Sequence, residues 1–172
     1  MPPGQRGCGG VGPTEPQRIV QFTGGCQGMG VPDGYSPIWQ INRMTGDEIS
    51  AGLRGAKVVV ANDYEYELSK DKTGLDQRDI LEHADMVVCT KGKQGSLIMT
   101  RDQVAEIPAA QAEELLDPVG AGDAYLGGLV FALNAGLDVP TAGRVASLAA
   151  VYPVESYGTK GPPYPRQQFT GR

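Results

Sequence analysis

The residues best suited to chemistry lie in one short segment, Asp117 to Asp123, which reads Asp-Pro-Val-Gly-Ala-Gly-Asp and precedes the longest helical pattern of the chain. A Gly-Ala-Gly run entering a helix lets the backbone approach a ligand closely, and it points unpaired N–H groups and the positive end of the helix dipole at one spot. The segment therefore predicts an anion site. Asp123, in the first helical turn, could take a proton from a hydroxyl that attacks phosphorus. A tight turn in which Asp123 only complements the helix dipole fits the same residues, and the physics leaves both interpretations open.

Two other features carry much weaker signals. The run Gly7 to Gly12 fits the string G-x-G-x-x-G, but it follows no predicted strand and opens no predicted helix, so the context of a dinucleotide-binding fold is absent. No G-x-x-x-x-G-K-[ST] string occurs in the sequence, which excludes a Walker-type loop. His83 is the single histidine and lies in a predicted helix. A solvated helix residue is therefore favoured over a member of a Ser-His-Asp triad.

Composition limits the class of protein. The chain has 172 residues and a formal net charge of −5, which predict one domain and no nucleic-acid partner. The longest apolar stretch, Leu126 to Leu137, falls short of the ~20 residues of a membrane span, so we expect a cytoplasmic protein with no membrane partner. The three cysteines have no CxxC spacing, which argues against a disulfide framework and a zinc site. Cys89 is predicted to lie in the core, and Cys8 and Cys26 in loops.

Glycine and proline are concentrated in residues 1–36. Such a segment buries too little apolar surface to offset its chain entropy, so we expect a loose leader with at most one strand, Arg18 to Phe22. The folded part is predicted to span residues 37–160, and residues 161–172 are predicted to form a tail.

Strand and helix patterns alternate through the folded part. The predicted helices are Thr45 to Leu53 with a Thr45–Glu48 capping box, Asp63 to Lys70, Gln77 to Ala84 after an Asp76 N-cap, Ala121 to Ala135 closed by Gly136, and Pro140 to about Val151. The predicted strands are Lys57 to Ala61, Met86 to Thr90, Ser96 to Thr100 and Gln103 to Ile107, with a glycine turn at Lys91 to Gly95. This order predicts an α/β fold with a mainly parallel sheet and one antiparallel hairpin.

Three segments resemble motifs of one enzyme family, in the order that the family requires. Asp117 to Tyr125 resembles the D-T-x-G-A-G-D signature of the ribokinase-like, or PfkB-type, carbohydrate and nucleoside kinases, in which it carries the catalytic base. Asn62 to Glu65 resembles the N-x-x-E motif, and Thr90 to Ser96 resembles the T-x-G-x-x-G turn. Val154 to Lys160 resembles the V-E-x-x-G-T-Q segment of the adenosine-kinase-like bacterial branch, which favours a nucleoside slightly over a sugar. The resemblance covers roughly residues 40–160.

The resemblance implies an ATP-dependent, Mg²⁺-requiring phosphotransferase that acts on a hydroxyl of a small sugar or nucleoside. Its fold would be a partial ribokinase-like three-layer sandwich. Asp123 would be the base, and the backbone amides of Gly120, Ala121, Gly122 and Asp123 would form the hole for the transferring phosphoryl group.

The nucleotide side of the site is implied in the same way. Asn62 and Glu65 would organise the waters of Mg²⁺ and the ATP phosphates. Residues implied to lie along the ATP are Thr90, Gly92 and Gly95, with Ser147 in the wall beside the adenine. Taken alone, Glu65 also fits a solvated helix carboxylate, and Ser147 also fits plain core.

The sequence departs from the family pattern in several places. Pro118 stands where Thr is commoner, Ser36-Pro37 stands where Asp-Pro is frequent, and the pair Gly24-Gly25 lacks the Asn that would follow it. The N-terminal half and the β lid of the family are expected to be missing. We therefore expect the nucleotide-binding, C-terminal half of such a kinase, inactive on its own and prone to form homo-oligomers through its exposed sheet edge. The alternative is a non-catalytic nucleotide-binding remnant without an acceptor pocket.

Overall fold

The computed structural model describes residues 9–11, 33–35, 38–111 and 120–154. The strands are β1 (Gly9–Val11), β2 (Asp33–Tyr35), β3 (Val58–Asn62), β4 (Met86–Thr90), β5 (Ser96–Thr100) and β6 (Val104–Ile107). The helices are α1 (Gly46–Leu53), α2 (Asp63–Thr73), α3 (Gln77–His83), α4 (Ala121–Asn134) and α5 (Val139–Val154), with short 3-10 helices at Ile38–Asn42 and Gly92–Gln94. None of the described helices has the length and apolar character of a membrane span. The cytoplasmic location stays a prediction.

The six strands form one sheet in the order β1-β2-β3-β4-β5-β6. β1 to β4 run parallel, and β5 and β6 are antiparallel to their neighbours. The predicted α/β fold with a mainly parallel sheet is therefore confirmed, and its antiparallel part consists of two consecutive hairpins, β4-β5 and β5-β6, where one was expected. Asn62 is in register with Thr90, so the ends of β3 and β4 lie side by side.

The prediction for the leader was wrong in one respect. Two strands, β1 and β2, lie within residues 1–36, where at most one strand was expected. Each has only three residues and pairs through its backbone, which needs no run of apolar side chains. The expected strand Arg18 to Phe22 lies outside the described residues, as do Cys8, Cys26 and the pair Gly24-Gly25. The boundary at residue 36 stays a prediction.

Helices cover both faces of the sheet, and each face has its own apolar core. On β3, Val59 and Ala61 pack into the core beneath α1, α2 and α3, whereas Val58 and Val60 pack into the core beneath α4 and α5. Cys89 on β4 belongs to the first core, as predicted. The alternation explains why the β3 sequence is continuously apolar, since both of its faces are buried.

Local capping residues set the ends of the helices around the site. The predicted Thr45–Glu48 capping box opens α1, and Asp76 caps α3. α2 extends to Thr73, beyond the predicted end at Lys70, and stops at Gly74 in the left-handed conformation. His83 is the last residue of α3 and is half-buried rather than fully solvated.

Candidate active site

A cavity of about 700 Å³ lies between the glycine turn after β4 and the facing parts of α4 and α5. Its lining consists of Thr90, Gly92, Lys93, Gly95, Ala109, Ala110, Gln111, Ala121, Gly122, Tyr125, Ser147, Ala150 and Val151. The cavity adjoins the carboxyl end of β4, the position at which parallel α/β sheets bind ligands. The fold thus brings six of the ten predicted site residues around one space, namely Thr90, Gly92, Gly95, Ala121, Gly122 and Ser147.

The glycine turn, Lys91 to Gly95, forms one wall of the cavity. It is closed by a 2.8 Å hydrogen bond that the Lys91 N–H donates to the carbonyl of Gly95. Gly92 and Gly95 both have positive φ, at 54° and 91°. A Cβ on Gly95 would lie 2.0 Å from the Ile107 carbonyl oxygen, whereas a Cβ on Gly92 would meet no atom within 4 Å. Gly95 is therefore required by the packing of the chain itself, and Gly92 leaves open space beside the cavity.

The N-terminal end of α4 forms the facing wall. Gly120 is the N-cap at φ 86° and makes no side-chain cap hydrogen bond, and the first helical bond runs from the Ala124 N–H to the Gly120 carbonyl at 3.0 Å. The N–H groups of Ala121, Gly122 and Asp123 consequently have no partner within the helix. Donors in this position, at the positive end of the helix dipole, suit an anion.

Gly122 does not have a positive φ, whereas Gly120, two residues earlier, adopts one. A Cβ on Gly122 would meet no atom within 4 Å, and the residue lines the cavity. The chain therefore has room for a side chain at Gly122, and the space it would fill belongs to the cavity.

Asp123 is the third residue of α4 and is exposed. Partial desolvation nevertheless raises the pKa of its carboxyl above the usual range. A carboxylate with a raised pKa is a stronger base, which suits the removal of a proton from a hydroxyl. Asp123 follows Gly122 but is not itself part of the cavity lining. Asp117, Pro118 and Val119 lie outside the described residues.

Asn62 and Glu65 form a capping box that opens α2. The Asn62 N–H donates to Glu65 Oε2 at 2.9 Å, and the Glu65 N–H donates to Asn62 Oδ1 at 2.8 Å. Glu65 is only 8% exposed, so the interpretation as a solvated helix carboxylate is wrong. Burial raises the pKa of Glu65, and the hydrogen bond from the Asn62 backbone partly opposes that shift.

The capping box engages one oxygen of each of its two side chains. Asn62 Oδ1 and Glu65 Oε2 each accept a backbone N–H. Among the described residues, no group of three or more His, Cys, Asp or Glu side chains could hold a metal. Asn62 pairs with Thr90, which lines the cavity, so the box is adjacent to the site. The predicted role of Asn62 and Glu65 toward the waters of a bound Mg²⁺ stays a prediction.

Ser147 holds one edge of the cavity in place. Its Oγ accepts a hydrogen bond from the Ala110 N–H at 2.8 Å and donates one to the Pro108 carbonyl at 3.1 Å. These two bonds attach the segment after β6 to helix α5. Ser147 lies in the cavity lining, where a wall beside the adenine was predicted, and it is also a structural tie.

Lys93 and Tyr125 are among the lining residues that were not selected from the sequence. Lys93 places an exposed positive charge in the glycine turn. Tyr125 is buried, and its hydroxyl lies 2.7 Å from Ser96 Oγ. Burial raises the pKa of Tyr125, and the hydrogen bond to Ser96 opposes that shift. Tyr125 ends the Asp117 to Tyr125 motif, but its partner is 29 positions away and no local pattern indicates the pairing.

Known proteins resemble this chain in sequence and in fold. A nucleoside kinase of Methanocaldococcus jannaschii is 36% identical over 97 residues, which cover 56% of this chain and 32% of that enzyme. The solved structure of a Burkholderia thailandensis nucleoside kinase in complex with inosine has a TM-score of 0.83 at 35% identity, and it covers 88% of this chain and 51% of that one. The same kinase in complex with ADP-inosine also gives a TM-score of 0.83. The chain thus spans about a third to a half of the length of these relatives.

The family assignment rests on a match along most of the chain. The model of the pfkB family carbohydrate kinases matches residues 25–166. The solved structure of the Methanocaldococcus jannaschii nucleoside kinase, an archaeal member of the ribokinase family, has a TM-score of 0.81 at 24% identity and supports the fold. It covers 91% of this chain and 52% of that one. The chain therefore belongs to the pfkB family of carbohydrate kinases and has the fold of the ribokinase-type kinases.

Proposed function

We propose that the chain binds ATP in the cavity and provides the nucleotide-binding half of a kinase that phosphorylates a hydroxyl of a nucleoside. The observation that carries the proposal is the lining of the cavity, where the glycine turn faces the first N–H groups of α4, which have no partner within the helix. The triphosphate would lie toward Ala121 and Gly122, and the adenosine toward the glycine turn and Ser147. The open space at Gly92 and Gly122 suits close approach by a ligand.

The chemistry of phosphoryl transfer matches what these residues can supply. The transition state is loose, so the protein mainly positions the reactants and stabilises negative charge. The N–H groups at the start of α4 would hold the transferring phosphoryl group. Asp123 would accept the proton of the attacking hydroxyl, and its raised pKa supports that role.

Mg²⁺ would be held mainly by the ATP phosphates and water. Mg²⁺ keeps several of its waters and is usually bound through few protein ligands together with substrate phosphates. Glu65, buried beside the site, would accept a hydrogen bond from one of those waters. When bound, the ion neutralises phosphate charge, and the contribution of the capping box is orientation.

A nucleoside is favoured as the acceptor because nucleoside kinases give both a match of 36% identity over 97 residues and a solved structure that covers 88% of this chain at 35% identity. The Burkholderia thailandensis structure contains inosine, a nucleoside with free ribose hydroxyls. A sugar acceptor remains the alternative within the family, whose description names carbohydrate kinases. The Val154 to Lys160 segment, which first suggested a nucleoside, lies outside the described residues beyond Val154.

Nucleotide binding without transfer is the second candidate function, and the exposure of Asp123 favours it. An exposed base faces water unless an acceptor is held against it, and such positioning can supply ~7–11 kcal/mol of the barrier. The two functions are separated by measuring ADP release from Mg-ATP with a panel of nucleosides and hexoses. Transfer predicts ADP release that depends on a nucleoside, whereas simple binding predicts calorimetric affinity for ATP with no such release. Failure to bind ATP at all would refute both.

A further inference from the structure

Ser96 and Tyr125 form a buried pair of hydroxyls that joins the two walls of the cavity. The oxygens lie 2.7 Å apart, and the residues are 6% and 4% exposed. Ser96 is the first residue of β5 and directly follows Gly95, the last residue of the glycine turn. Tyr125 lies on α4, two residues beyond Asp123 and three beyond Gly122. This hydrogen bond therefore links the end of the turn to the first turns of α4.

The surroundings of Gly95 belong to a different part of the chain from α4. A Cβ built on Gly95 would meet atoms of Ile107, Pro108 and Ala109, and that stretch is tied to α5 through Ser147. Among the described residues, the end of the turn and α4 are joined by the hydrogen bond between Ser96 and Tyr125. This bond therefore contributes to the separation of the two walls.

We propose that Tyr125 is a positioning residue of the nucleotide site, because its hydroxyl bond to Ser96 holds the glycine turn and the anion-binding end of α4 at the separation that one nucleotide requires. This inference rests on the proposed function. A ligand that contacts both walls at once binds more tightly when their separation is fixed, because the walls do not have to become ordered on binding. A ligand that touches one wall gains nothing from it.

The test compares one long ligand with two short ones. Affinities for Mg-ATP, adenosine and tripolyphosphate are measured by calorimetry on the full chain and on Tyr125→Phe. A neutral hydrogen bond corresponds to about a 3- to 10-fold change in affinity. We expect Tyr125→Phe to weaken Mg-ATP binding by that factor. The affinities for adenosine and tripolyphosphate should stay within about 2-fold of those of the unmodified chain.

Ser96→Ala and the double variant complete a double-mutant cycle. If the bond is the cause, the double variant binds Mg-ATP no more weakly than the weaker single variant. Tyr66→Phe is the matched control, because Tyr66 is a tyrosine in the opposite core whose buried hydroxyl has no hydrogen-bond partner among the described residues. This control should bind Mg-ATP like the unmodified chain.

Several results would overturn the inference. Equal losses for ATP, adenosine and tripolyphosphate would show a general loosening of the fold, and additive losses in the cycle would show that the bond is not the cause. Unchanged Mg-ATP affinity in Tyr125→Phe, with binding by the unmodified chain, would refute the positioning role and leave the proposed function intact. Should Tyr125→Phe fail to fold, Ser96→Ala alone must show the same contrast between the long and short ligands.

Discussion

Replacing Gly122 with valine should separate ligand binding from folding. The position has no positive φ, and a Cβ built on it would meet no protein atom within 4 Å, so the fold has room for the new side chain. Gly122 is the second residue of α4, and glycine is a poorer helix former than valine by about 0.3 kcal/mol. The free energy of unfolding should therefore stay constant or rise slightly.

The effect of Gly122→Val on ATP affinity should be large compared with its effect on the free energy of unfolding. The valine methyl groups would occupy the cavity at the place where the phosphate is proposed to approach the N–H groups of α4. Moving a charged phosphate away from one such donor costs ~1.5–3 kcal/mol. That cost corresponds to a weakening of the Kd by about 10- to 150-fold.

Calorimetry with a non-hydrolysable Mg-ATP analogue measures the Kd, and urea unfolding measures the stability of the same sample. Gly127→Val is the matched control, since Gly127 lies on the same helix, also has open space around its Cβ position and does not line the cavity. We expect the analogue to bind this control as it binds the unmodified chain. An unchanged Kd in Gly122→Val would show that the Gly-Ala-Gly segment is only a turn.

Three further predictions concern residues around the cavity. In any form of the protein that shows nucleoside-dependent ADP release, Asp123→Asn should lower that release by ~10²–10⁴-fold with little change in ATP affinity. In the same form without the substitution, the rate should fall with decreasing pH through the raised pKa of Asp123, since protonation removes the base. Turnover close to normal in the variant would remove Asp123 from the role. Glu65→Gln keeps an acceptor for the capping box, so stability should hold in urea unfolding while the Mg²⁺ concentration for half-maximal activity rises. An unmoved Mg²⁺ dependence would leave the residue a purely structural cap. Ser147→Ala should reduce the free energy of unfolding by about 1 kcal/mol, because the Ala110 N–H and the Pro108 carbonyl lose their partner. A loss below about 0.3 kcal/mol in urea unfolding would show that these two hydrogen bonds do not stabilise the fold.

Elements with strong local signals were predictable from the sequence. The Thr45–Glu48 capping box, the strands Met86–Thr90 and Ser96–Thr100, and the start of α4 at Ala121 were each predicted at the position that the structure has. Each depends on residues within a few positions of one another. Caps, β-branched runs and glycine turns act over that range, so one sequence is enough to find them.

Features set by distant residues could not be predicted in this way. β1 and β2 owe their existence to backbone pairing along the sheet, which leaves little trace in side-chain patterns. The Asn62–Glu65 capping box is an exception, because it is local but was missed when these residues were assigned to metal and phosphate. The Ser96–Tyr125 bond joins two segments whose proximity is a property of the folded sheet.

Backbone NMR titration tests most directly whether the cavity is the nucleotide site. Mg-ATP and, separately, adenosine are added to the isotope-labelled chain, and the amide signals of Gly92, Gly95, Ala121 and Gly122 are followed. If the cavity is the nucleotide site, Mg-ATP should produce saturable shifts of all four signals, and adenosine should shift only the Gly92 and Gly95 signals. Saturable binding that leaves the Ala121 and Gly122 amide signals unmoved, or shifts centred on another part of the chain, would contradict a nucleotide site in the cavity.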